Sequence, residues 1–335
     1  MTESRLTLAR DAGLLPSGLC VLGVPDGIAA LDGLDAVFVT PSAADHARLG
    51  LAARRVAPDT APATLVVLPR AKALARGLVA QALALTPGHV VLDGQKTDGI
   101  DSVIRDLRAR PGVTLGEVMA KAHGKVVALS GDPETLADWR LPAAPTPVAP
   151  GFVTRPGVFS ADGPDPGSVL LGAHLPPLSG EGADFGAGWG YLSAQVLAQP
   201  TVTRLHLVED DGTALDCAAL NVTDPRASLH WADVMTWKPP RLLNFVVMNP
   251  PFHQGRSADP ALGRAFIMAA LAVLSPAGRL VMVANRHLPY EDLLTERFAE
   301  VTEIVGDTRY KCVLASRPRK PAVPARKPAV IRLRR

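Results

Sequence analysis

Ten short apolar runs punctuate this chain, five on each side of a proline-rich segment, and Ala/Leu-rich stretches separate them. The first five are LCVLGV (19–24), AVFVT (36–40), TLVVLP (64–69), HVVLDG (89–94) and KVVALS (125–130). The second five are RLHLVE (204–209), SLHWADV (228–234), FVVMNP (245–250), RLVMVAN (279–285) and YKCVLAS (310–316). Apolar runs this short, between helical stretches, predict parallel strands buried on both faces of an open α/β sheet. The segment 141–150 carries four prolines. Proline lacks an amide N–H and fixes φ, so no helix crosses this segment and an extended connection is expected.

The chain has 335 residues, 47% hydrophobic and 20% charged. That supplies apolar material for two cores and excludes global disorder. Its 29 glycines and 31 prolines follow no period, which excludes a collagen-like fold. No apolar stretch approaches the ~20 residues needed to cross a bilayer. The charged N-terminus has no apolar signal-peptide core. Cys20, Cys217 and Cys312 are odd in number and far apart, so neither a disulfide framework nor a metal site is expected. A reducing cytoplasm fits.

The formal charge of +3 hides an asymmetry. Residues 317–335 hold eight Lys and Arg and no acid, so the rest of the molecule is acidic. Such a tail is either a solubilising segment or an anchor for nucleic-acid phosphates.

The two halves echo each other. In the first, LVVLPR, a helical stretch and LTPGHVVLDG follow in order; in the second, FVVMNPPF, a helical stretch and LSPAGRLVMVAN. A duplicated domain is expected, divided as 1–140, a linker at 141–150, 151–316 and the tail at 317–335. The first copy lacks a glycine-rich loop, has Leu68-Pro69-Arg70 where the second has Asn-Pro-Pro-Phe, and holds only Phe38 and Trp139 as aromatics. It therefore reads as a degenerate copy that scaffolds the second or grips a large substrate.

The chemistry concentrates in the second half. Residues 184–190 read D-x-G-x-G-x-G, and a helix is expected to follow. Glycines permit sharp turns and close approach of a nucleotide-like ligand, although a plain βα turn has the same composition. The dinucleotide fingerprint fails, because Tyr191 falls where its last glycine belongs. Glu209 ends the next strand, nineteen residues beyond Gly190, where a carboxylate can accept from ribose hydroxyls; Asp210 and Asp211 compete for that assignment. Asp233 ends the following strand, placed for an adenine amino group or for a turn.

Asn249-Pro250-Pro251-Phe252 follows an apolar strand directly. Two prolines cannot continue a central strand, so a rigid turn sits at a carboxyl end, where ligands bind open α/β sheets. The Asn249 amide oxygen and the Pro250 backbone oxygen can accept both hydrogens of a flat NH2 group, and Phe252 can stack on its ring.

With these residues the second half resembles the class I S-adenosylmethionine-dependent methyltransferases that methylate amino groups. GVFSADGPDPGSVLL (157–171), NPPFHQG (249–255), VANRHLPYEDLL (283–294) and RYKCVLASR narrow the resemblance to the ribosomal RNA small-subunit methyltransferase C family, across nearly the whole sequence. It implies two tandem Rossmann-like class I methyltransferase domains, the N-terminal one degenerate. It implies N2 methylation of a guanine in 16S rRNA, with 16S rRNA or the 30S subunit as partner and a monomer that uses no membrane and no metal. The sister large-subunit family, methylating 23S rRNA, shares the layout. The clamp also suits adenine or glutamine amino groups, and a non-catalytic RNA-binding or ribosome-assembly factor is the alternative of another class. By the resemblance, Asp184, Gly186, Gly188 and Gly190 line the methionine end of S-adenosylmethionine. Glu209 takes its ribose and Asp233 its adenine, while Asn249, Pro250 and Phe252 form the amino clamp. Two features depart from the pattern. The strand before the glycine loop ends in a weak Gly-Ala-Asp, and bulky Trp189 is placed to crowd or stack on the cofactor. Ser160, Asp162 and Asp165 either fold over the cofactor or serve as turn and cap residues.

Overall fold

In a computed structural model, residues 5–251, 253–254, 257–258 and 260–319 are described. The first half runs α1 (Arg5–Asp11), β1 (Leu19–Leu22), β2 (Val37–Val39), α2 (Ala43–Leu49), β3 (Ala53–Arg54), β4 (Ala63–Val67), α3 (Lys72–Leu85) and β5 (Val90–Gln95). It closes with α4 (Ile100–Arg108), β6 (Val113–Leu115), β7 (Met119–Lys121) and β8 (Gly124–Gly131). A hairpin follows, β9 (Thr146–Ala149) with β10 (Phe152–Thr154). The second half runs α5 (Pro166–Ala173), β11 (Gly180–Phe185), α6 (Tyr191–Leu197), β12 (Val202–Glu209), α7 (Gly212–Asn221), β13 (Ala227–Trp231) and β14 (Leu243–Met248). After a small hairpin, β15 (His253–Gln254) with β16 (Ser257–Ala258), come α8 (Pro260–Val273), β17 (Leu274–Asn285), α9 (Glu291–Arg297), β18 (Phe298–Gly306) and β19 (Tyr310–Pro318).

The sheet orders coincide. The first is β3-β2-β1-β4-β5-β8-β6, with β7 also on β8; the second is β13-β12-β11-β14-β17-β19-β18. Each therefore reverses direction of growth at its central pair, β1/β4 and β11/β14, and the repeat supports a duplicated Rossmann-like unit. All ten apolar runs become strands. Two of them differ in direction from expectation: β8 and β19 run antiparallel to β5 and β17. Burial on both faces looks alike in either direction. The short connections β7–β8 and β18–β19 turn the backbone straight back, which a parallel pairing cannot do.

Apolar cores lie on both faces of each sheet. On the second, Val246 and Val247 of β14 point to opposite faces and are fully buried, against the α8 and α6 sides respectively. Removing each from water is worth roughly 1.5–3 kcal/mol. On the first, α3 turns Ala75, Val79, Ala82 and Leu83 inward. Gly77 on the same helix leaves room for Leu141; a Cβ there would lie 2.3 Å from Leu141 Cγ. The proline-rich segment thus packs back onto the first half and then enters β9, rather than running free.

The three cysteines are buried and unbridged. Burial pushes the Cys20 thiol up to about 11 and Cys312 to about 12. They are inert core residues. Among the described residues no helix is long and apolar enough to cross a membrane, and no His, Cys, Asp and Glu cluster could hold a metal ion.

Candidate active site

The site lies at the carboxyl ends of β11 and β14, the switch point of the second sheet. Asp184 and Phe185 pair with Val247 and Met248, so the glycine loop and Asn249 leave adjacent strands side by side. The weak composition of β11 has a packing cause. A Cβ at Gly182 would fall 2.2 Å from the Phe245 ring, so glycine is what admits that ring against the sheet.

Gly186, Gly188 and Gly190 all adopt positive φ. At Gly190 the need is double: φ is 91°, and a Cβ would meet Val222 Cγ2 at 2.7 Å. Gly190 then leads directly into α6. Asp184 is buried beneath the loop, 1% exposed, and its Oδ2 accepts from Ser193 Oγ at 2.7 Å. Glu209 reaches across from β12: its Oε2 accepts from Gly188 N at 2.7 Å and its Oε1 from Asp211 N at 2.8 Å.

The geometry separates the three consecutive acids. Asp211 Oδ1 caps α7 through Thr213 N and Ala214 N. Asp210 Oδ1 accepts from Ala44 N in the first half. Glu209 alone faces the glycine loop.

Burial pushes the Asp184 carboxyl up to about 7, the Ser193 hydroxyl opposing and nearby Glu209 adding to the shift. Burial likewise pushes Glu209 up to about 7, against the hydrogen bonds from Asp211 and Gly188. Burial thus holds both carboxyls near the boundary between their neutral and ionised forms at neutral pH.

Asn249 is fixed by two residues far away in sequence. Its Nδ2 donates to Asp165 Oδ2 and to Ser168 Oγ, each at 2.9 Å. A carboxylate can only accept, so the amide nitrogen must face Asp165, and Oδ1 is turned the other way. Asp165 is also the N-cap of α5, accepting from Ser168 N at 3.0 Å. It therefore serves as cap and as support for Asn249 at once. Pro250 is buried and Pro251 exposed. Phe252 lies outside the described residues.

Ser160, Asp165, Ser168, Asp184, Gly186, Gly188 and Asn249 line an open cleft, whose lining does not include Gly190, Glu209 or Pro250. Phe159, 57% exposed, stands at its edge. Trp189 is itself one of the cleft's lining residues. Its ring is 3% exposed and packs edge-on to Phe152 and Tyr191, and its Nε1 donates to Phe159 O at 3.0 Å. It ties the 159–160 segment to the cavity wall. Asp162 is not among the lining residues, nor is Asp233. Asp233 holds its own turn, Oδ1 accepting from Met235 N at 2.9 Å, one residue beyond the Ala232 N that donates to Glu209 O. Ser168, Ser193 and Trp189–Phe159 are contributions that the motifs alone do not reveal.

A model of the methyltransferase small domain matches residues 150–314. Ribosomal RNA small subunit methyltransferase C of Shewanella oneidensis is 30% identical, the match covering 91% of this chain and 92% of that protein. The enzyme of that name from Shewanella loihica is 30% identical over 76% of each. Among solved structures, a T. thermophilus 16S rRNA N2 methyltransferase, in complex with AdoMet and guanosine, superposes with a TM-score of 0.73 at 23% identity. That match covers 94% of this chain and 92% of that one, and it shows the same two-sheet fold.

Proposed function

The chain belongs to the ribosomal RNA small subunit methyltransferase C family, and from that premise we propose that it transfers a methyl group from S-adenosylmethionine to the exocyclic N2 of a guanine in 16S rRNA. The observation that carries the proposal is the fixed orientation of Asn249 beside the glycine loop and the buried Asp184.

The residues present fit this cofactor. Three positive-φ glycines shape the loop, an open cleft lies beside it, and the buried Asp184 carboxyl lines that cleft with Glu209 hydrogen-bonded to the loop behind it. The sulfonium of S-adenosylmethionine supplies the methyl group and becomes neutral on transfer. Asp184, Gly186, Gly188 and Gly190 would hold its methionine end. Glu209 would hold the ribose and Asp233 the adenine amino group.

Guanine N2 is a poor nucleophile because its lone pair is delocalised into the ring. Asn249 Oδ1 and the Pro250 carbonyl would accept its two hydrogens and turn the lone pair toward the methyl group. They would also stabilise positive charge as it moves onto nitrogen, and the surplus proton leaves to water. Positioning of this kind contributes roughly 7–11 kcal/mol. The base must leave its stack first, and stacking on Phe252 would return about 1–3 kcal/mol of that cost. Three buried, unbridged thiols fit a reducing cytoplasm.

The test is transfer of labelled methyl from S-adenosylmethionine to naked 16S rRNA, 30S subunits and 23S rRNA, followed by nucleoside analysis. Label in N2-methylguanosine of 16S rRNA or 30S subunits supports the proposal. Label in 23S rRNA alone, or in another nucleoside, refutes it.

A further inference from the structure

The turn that carries Glu209 is held from outside its own half. Where β2 ends, the segment 40–44 leads into α2 and lies against residues 210–212. Ser42 and Asp211 form an antiparallel bridge. Gly212 N donates to Pro41 O at 2.8 Å, and Ala43 N to Asp210 O at 2.9 Å. Ala44 N donates to Asp210 Oδ1 at 2.7 Å, so an acid of the second half takes up a first-turn N–H of α2 beside its own cap, Ser42.

A second set of contacts clamps the same turn. Arg55, one residue beyond β3, donates through Nη2 to Gly212 O at 3.0 Å and to Asp216 Oδ2 at 2.5 Å. Its guanidinium lies 5.1 Å over the Trp231 ring. Trp231 Nε1 donates to Pro41 O and Asp210 O, both at 2.8 Å, and His46 packs edge-on to the same ring at 4.7 Å.

Everything here converges within a few residues of Glu209, whose Oε1 is held by Asp211 N. Three carboxylates in succession repel one another, and the other two both push Glu209 upward. The other two are held away from the glycine loop, Asp211 on α7 and Asp210 on α2. Only the first half supplies the latter partner.

We propose that the first half sets the cofactor affinity of the second, with Asp210 and Arg55 as positioning residues that hold Glu209 toward Gly188. This rests on the cofactor assignment above. The degenerate copy thereby gains a role in the reaction without a reacting group of its own.

The test is calorimetric titration of the full-length protein with S-adenosylmethionine, alongside thermal melts, for the wild type and for Asp210→Ala, Asp210→Asn and Arg55→Ala. Asp210→Ala removes this acceptor for Ala44 N and is expected to raise the Kd about three- to tenfold. Asn keeps the acceptor, so Asp210→Asn is expected near wild type. Arg55→Ala is expected to raise the Kd by a similar factor. In turnover the loss appears in KM for the cofactor rather than in kcat. Should Asp210→Ala fail to fold, the more peripheral Arg55→Ala decides alone. A contact that merely stabilises the fold lowers the melting temperature and the binding stoichiometry at constant Kd, and that result overturns the proposal. Wild-type protein that binds no S-adenosylmethionine overturns the cofactor assignment itself, a distinguishable failure.

Discussion

The amide nitrogen of Asn249 lies 2.9 Å from Asp165 Oδ2, a contact that spans 84 residues and fixes which face of the amide the cavity receives. An unsupported asparagine can flip its amide and present a donor where the clamp needs an acceptor. Asp165, itself fixed by Ser168 N, removes that freedom.

Asp165→Ala should therefore lower methyl transfer more than cofactor binding. We expect kcat to fall about ten- to a hundredfold, an effect of misplaced geometry, with the Kd for S-adenosylmethionine little changed. Loss of the α5 cap should cost about 1 kcal/mol of stability. Single-turnover rates and a denaturant titration check both.

Cofactor binding should strengthen as pH rises through about 7, where burial has placed Asp184 and Glu209. Their ionised forms attract the sulfonium and accept from the ribose. The sign for stability is opposite. A carboxyl raised in the folded state contributes stability that is present below its unfolded value and lost as pH rises through the folded one. The last of this contribution should leave the cofactor-free protein as pH passes about 7, and the cofactor-induced rise in Tm should be larger on the alkaline side. Melts with and without S-adenosylmethionine on both sides of that pH test it.

Ser193→Ala removes the hydroxyl that donates to Asp184 Oδ2. A buried acceptor without its donor costs about 1–3 kcal/mol. The midpoint of the pH dependence of cofactor binding should move upward, since the hydroxyl opposes the effect of burial. An unmoved midpoint would show that Asp184 does not govern it.

Gly190→Ala places a Cβ 2.7 Å from Val222 Cγ2 at a φ of 91°. Strain of this kind costs about 1–3 kcal/mol. Calorimetry should show cofactor binding lost or weakened, and a melt should show the destabilisation.

The fold was legible because the apolar runs are short, separated and repeated in order on either side of the proline-rich segment. The direction of β8 and β19 was not, since burial on both faces does not encode it. Strand β11 read as weak because Gly182 is there for the Phe245 ring, a contact with another strand. Asn249 was legible from its own four-residue motif. Asp165 was legible as a cap candidate, but its support of Asn249, shared with Ser168, was not, because what selects it is proximity across the switch point. Glu209, Asp210 and Asp211 could not be separated in sequence, since the partner that claims Asp210 is Ala44, in the other half.

The most direct measurement is nucleoside mass spectrometry of separated 16S and 23S rRNA. The cells would carry either the wild-type protein or Asn249→Ala as their only copy. The account predicts N2-methylguanosine lost from 16S rRNA with the variant, while purified Asn249→Ala still binds S-adenosylmethionine. Undiminished N2-methylguanosine in 16S rRNA, or loss confined to 23S rRNA, would contradict it.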